Sequence, residues 1–141
     1  MTKHAKSGKA ARKPKWLDRR IIEMRHHYTL CTTRKGFNAE MRRLGVARTA
    51  RSAFGSTHAS CHFFTFNGKR CVLVELDVKA ARSRGIKLAQ MYSLLAHEAV
   101  HIWQEEARLM KEASPSDEFM AYSVQTIFQA LLFEFMRQTR K

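Results

Sequence analysis

Apolar residues recur along this chain with two different periods. Leu17, Ile21, Met24, Tyr28 and Cys31 are spaced 4, 3, 4 and 3 apart, one stripe of a helix expected over 15–31. Phe37, Met41 and Leu44 predict a short second helix over 38–44, stopped by Gly45. Residues 46–59 are rich in Ala, Arg, Ser and Gly and read as a loop. The period then falls to two. Two apolar runs, Cys61–Phe66 and Lys69–Asp77, flank Asn67-Gly68, and both turn residues tolerate positive φ, so a β-hairpin is expected over 60–78. A two-residue turn pairs Phe66 with Lys69, Phe64 with Cys71 and Cys61 with Val74. Cys61 and Cys71 then point to opposite faces, which disfavours a disulfide between them. A long helix is expected over 86–111, apolar over much of its circumference through Leu88, Met91, Leu94, Leu95, Val100, Ile102, Trp103 and Met110. Ser114-Pro115 opens a last helix over 115–137, with Ser114 as its cap. These elements predict an α+β fold in one domain over 14–141, preceded by a basic mobile tail over 1–13.

Charge is distributed unevenly over this plan. The net charge is +14, and residues 1–51 hold 15 of the 26 Lys and Arg but only 3 of the 12 Asp and Glu. The basic N-terminal part, 14–51 with the tail, is therefore a candidate contact for nucleic acid. No apolar run approaches the ~18 residues that cross a bilayer, so no membrane partner is expected. The N-terminus lacks an apolar export segment, and the three cysteines form no Cys-x-x-Cys pair. Both features predict a cytoplasmic protein with free thiols.

The candidate chemistry lies inside the long predicted helix, at His97-Glu98-Ala99-Val100-His101. Histidines four residues apart lie one turn apart on one face, so both imidazoles can reach a single Zn²⁺. The intervening Glu98 is placed to take a proton from the attacking water. Apolar flanks, Leu94, Leu95, Ile102 and Trp103, make a lone glutamate there hard to explain structurally. Zinc needs a third protein ligand, and no histidine follows His101. Among the later acids, Glu118 is the preferred ligand: it opens the next helix, with 16 residues between it and His101, enough for the chain to reverse. Asp117 and Glu112 are its substitutes. Tyr122 shares the face of Glu118 and is a candidate hydrogen-bond donor to an oxyanion. His62 is a second such candidate, though a strand histidine more often faces solvent.

Residues 94–132, LLAHEAVHIWQ followed by SDEFMAYSVQTIFQALL, resemble the core of small zincin metallopeptidases of the glutamate-ligand (gluzincin) kind. They are similar to ImmA/IrrE-like proteins and to phage and prophage zinc peptidases, in which HExxH is followed by Glu-x-x-Ala on the next helix. The resemblance implies a minimal zincin-like domain, with a small antiparallel sheet packed on the active-site helix. It also implies Zn²⁺ on His97, His101 and Glu118, Glu98 as catalytic base, and the 61–77 hairpin as the edge to which a peptide adds as a strand. The third histidine of SprT-like proteases is absent. The expected function is a zinc metallopeptidase acting on a protein or peptide substrate, with nucleic acid as a further partner. The rival reading is a nucleic-acid-binding or protein-interaction module on the same scaffold without turnover.

Overall fold

The computed structural model describes residues 12–17, 24–48, 51, 58–111 and 113–140. The expected tail over 1–13 lies mostly outside these residues. Seven elements follow in order: β1 (His26–Cys31), α1 (Arg34–Arg43), β2 (Ser60–Phe66), β3 (Lys69–Glu75), α2 (Val78–Ser83), α3 (Leu88–Met110) and α4 (Asp117–Thr139). The fold is α+β: a three-stranded sheet of order β1-β3-β2 with helices on both faces.

Alternation along the strands assigns the two faces. Tyr28 and Leu30 of β1 and Val72 and Val74 of β3 turn toward α3 and α4, where they meet Met91, Leu95, Ala99, Ile102, Ile127, Leu131 and Phe135 in the main core. Cys31 and Leu73 turn the other way and pack with Phe37 and Met41 of α1. β3 is central and buried on both faces from Cys71 to Glu75.

The hairpin forms in the expected register, with Phe66 opposite Lys69, Phe64 opposite Cys71 and Cys61 opposite Val74. Its turn residues have φ of 48° at Asn67 and 72° at Gly68, and the three cysteines are free thiols. Gly68→Ala forces a Cβ into the left-handed region, and an expected loss of about 1–2 kcal/mol should be read by urea denaturation.

Two expectations need correction here. No helix occupies the described part of 15–31. Residues 12–17 are irregular and 26–31 form β1, which runs parallel to β3, so the sheet is mixed rather than antiparallel. The burial of β1 explains the misreading. Every residue from Tyr28 to Cys31 is buried, which erases the alternation that marks a half-exposed strand, and the 3–4 spacing of Met24, Tyr28 and Cys31 imitates a helix. Residues 15–17 lie along β1, with Leu17 N–H donating to Tyr28 O at 3.0 Å and Thr29 Oγ1 to Lys15 O at 2.8 Å. The last helix is capped not by Ser114 but by Ser116, whose hydroxyl accepts from Phe119 N–H. That start puts Asp117 and Glu118 in the first turn, where the helix end favours negative charge. The short helix α2 had no counterpart in the apolar pattern; Asp77 caps it by accepting from Ala80 N–H at 3.0 Å.

Helix α4 is long and apolar enough, by length and composition alone, to cross a bilayer, a test that a buried core helix also passes. Its Ile127, Leu131 and Phe135 stripe lies in the core, and its far end is tied to β1 through polar groups. Gln138 donates from Nε2 to Leu30 O at 2.7 Å and accepts at Oε1 from the Thr32 hydroxyl at 2.7 Å. Glu134 accepts from Lys15 N–H at 2.8 Å.

Candidate metal centre

Helix α3 presents two contrasting sides within one turn. His97 and His101 are exposed on its outer side, and Glu98 is buried at 4% exposure. The helical period dictates this: residues four apart share a face, while the next residue is turned by 100°. The imidazoles meet edge to face, with Nε2 atoms 2.9 Å apart. Two ring nitrogens that close share a proton or a cation. A cation at about 2.0–2.1 Å from both would subtend an angle of roughly 90° between them, so opening by a few tenths of an ångström reaches the tetrahedral arrangement zinc prefers.

Gln104 orients this pair. Its Oε1 lies 3.2 Å from His101 Nδ1. A proton donated to it from Nδ1 would leave His101 Nε2 with its lone pair, free to bind a metal. The same i,i+3 spacing makes Gln104 legible in the sequence, although HExxH alone does not call for it.

The histidines and Glu98 line a cleft of about 500 Å³ whose other wall is the start of β2, with Ser60, Cys61 and Phe63. The hairpin register puts Cys61 and Phe63 on the Val74 and Val72 side, which is the side of α3. Cys61 Sγ is 3.6 Å from Glu98 O. Burial pushes the Cys61 thiol far up, and the charge and hydrogen-bond acceptance of the Glu98 carboxylate push it the same way, so the group stays S–H. The place of Cys61 against Glu98 comes from the packing of β2 on α3, which the hairpin register alone does not give.

Farther along α3, Glu106 is a buried anchor. It accepts from Arg25 N–H, from His26 N–H at 2.8 Å and lies 2.5 Å from His26 Nδ1. His26 in turn meets Phe63 edge to face at 5.6 Å. One carboxylate thus joins α3 to the start of β1 and, through His26, to the cleft wall.

The remaining expected residues fall elsewhere. Glu118 is exposed in the first turn of α4 and is not a wall of the cleft. Its neighbour Phe119 packs edge to face on Trp103 at 5.3 Å, two residues past His101, which holds the start of α4 beside the histidine turn. Among the described residues, no three His, Cys, Asp or Glu are gathered closely enough to hold a metal. Two histidine nitrogens of the kind that hold zinc stand together here, and the described residues place no third donor beside them. Asp117 is also exposed, and Glu112 lies outside the described residues. Tyr122 is 62% exposed on α4. His62 is on the opposite face of the sheet, 3.6 Å from Glu75 and edge to face with Phe37, so it neither faces solvent nor reaches the cleft.

No protein-family model, curated protein or solved structure matches this chain.

Proposed function

We propose that this protein is a zinc-dependent peptidase whose cleft lies between α3 and the start of β2. The observation that carries the reading is the convergence of His97 Nε2 and His101 Nε2 at 2.9 Å beside the buried Glu98. His97 and His101 hold the ion, and Glu118 supplies the third ligand by a rotamer change from its exposed position on α4. Bound zinc supplies Lewis acidity, polarising a carbonyl oxygen and bringing the pKa of water to about 7. Glu98 takes the proton of the attacking water on a carboxylate oxygen and passes it to the departing amide nitrogen. The Cys61 S–H stays a neutral neighbour and adds no competing charge. β2 is the edge strand nearest the cleft, and a peptide added along it would carry its scissile bond past Glu98. Tyr122, exposed on α4, is the candidate donor to the oxyanion and would have to turn toward the cleft to reach it. The free thiols suit a reducing, cytoplasmic setting.

The test is metal content together with cleavage of a quenched-peptide library. Wild type should carry about one zinc per chain, and chelation by 1,10-phenanthroline should stop cleavage. His97→Ala and His101→Ala should each lose most of the metal and, with it, the stability that metal binding adds to the native state, so the urea midpoint should fall. Full metal in the double variant would remove the assignment.

A further inference from the structure

A second cleft, of about 780 Å³, opens at the carboxyl ends of the two parallel strands and shares no residue with the one beside Glu98. Parallel pairing continues past both strands, with Leu76 N–H donating to Cys31 O at 3.0 Å and Val78 N–H to Thr32 O at 3.3 Å. The two chains therefore leave the sheet side by side, and α1 and α2 begin next to each other. The Gln138 bonds to Leu30 and Thr32 bring the end of α4 to the same place.

Four cations line this cleft: Arg34 from α1, Lys79 and Arg82 from α2, and Arg140 at the end of α4. Lys79 and Arg82 are three residues apart and share a helix face. All four side chains are exposed, and none is ion-paired with a carboxylate among the described residues. Asp77 is the sole acid on the walls, and its carboxylate is engaged by Ala80 N–H. Like charges gathered with one acid among them repel, and a polyanion relieves that repulsion.

We infer that this cleft is a docking groove for the sugar-phosphate backbone of nucleic acid. Exposed cations on separate elements suit successive phosphates of a polymer, whereas a single small phosphate is usually held by backbone N–H groups in a closed nest. The net charge of +14 steers the same partner from a distance. The groove draws three of its four cations from beyond residue 51, so it is a different interface from the basic N-terminal part. It is independent of peptidase activity.

Fluorescence anisotropy of the full chain with a labelled 20-base-pair duplex, from 50 to 200 mM salt, tests it. Wild type should bind with affinity that falls steeply with salt. The quadruple variant Arg34→Gln, Lys79→Gln, Arg82→Gln, Arg140→Gln should lose affinity by about tenfold or more, and its log–log salt slope should be shallower by about 3 to 4. A control removing the same charge outside the groove, Lys69→Gln, Arg70→Gln, Lys87→Gln, Lys111→Gln, should keep most of both. The Lys79→Gln, Arg140→Gln pair, with its slope shallower by roughly 2, gives the same comparison if the quadruple variant does not fold. Equal loss in groove and control variants, or no duplex binding at 50 mM salt, overturns the proposal. So does full displacement of the duplex by micromolar pyrophosphate, the result expected of a small-phosphate site.

Discussion

Glu98→Gln should lower peptide hydrolysis by roughly 10²- to 10⁴-fold while leaving zinc content at the wild-type level. The amide keeps the size and shape of the carboxylate but has no basic oxygen for the proton of the attacking water. Glu98 takes no part in the contact between the two imidazoles, so the change should leave their Nε2 pair as it is. The Cys61 thiol donates to the Glu98 backbone carbonyl at 3.6 Å, which the substitution leaves in place, so the buried wall should keep its contact. Glu118→Gln should behave oppositely. A neutral amide is a poor zinc ligand, so metal content should fall, and excess zinc should restore part of the activity. The two variants separate by elemental analysis before any natural substrate is known. Zinc lost from Glu98→Gln and retained by Glu118→Gln would mean that the roles are wrongly assigned, with Asp117 and Glu112 the next ligands to test. Undiminished cleavage by Glu98→Gln would leave a binding module on a metal-holding frame.

Glu106→Ala should cost about 3–5 kcal/mol of stability, the largest expected loss from any single polar side chain here. Three donors, the Arg25 and His26 amides and the His26 ring, converge on one buried carboxylate. Removing it leaves all three without their acceptor, the two His26 donors in a buried site. Glu106→Gln should be nearly as damaging, because its NH₂ would face a donor. Glu105→Ala, one residue away, removes an exposed pair with Arg108 and should change stability by about 0.5 kcal/mol or less. Urea denaturation at neutral pH separates these cases. Acid should then erase the difference. Burial pushes the Glu106 carboxyl up, but the His26 side-chain bond, the two amide bonds and the His26 charge outweigh it and hold the group below its usual value. A depressed native pKa means that the stabilisation is complete above the unfolded value, near 4.5, and is lost as pH falls through the native value. The gap between wild type and Glu106→Ala should therefore narrow on acidification. A gap that stays constant down to pH 3 would show that the carboxylate charge is not its source.

The parts of this molecule that were readable from the chain alone are those settled by neighbours in sequence. Asn67-Gly68 sets the hairpin and its register because both residues accept positive φ and the flanking runs alternate. The periods of α3 and α4 predict both helices to within about two residues of their observed ends. The i,i+4 spacing of His97 and His101 makes their convergence a property of any helix that contains them. β1 was not readable in this way. Its partner β3 follows only after α1 and β2, and burial on both faces removes the alternation that would have announced a strand. Tertiary packing also decided what surrounds the histidines. Glu98 is buried because β2 lies against α3, and Glu106 is an anchor rather than a surface acid because β1 starts beside it. Whether Glu118 reaches the histidines depends on how α4 crosses α3, which no local spacing encodes. Arg34, Lys79, Arg82 and Arg140 share a cleft for the same reason. Their separation in sequence is closed only when β1 and β3 pair in parallel and bring two strand ends and the end of α4 to one place. Local dihedral preferences set the elements, and long-range burial and hydrogen bonding set which of their side chains meet.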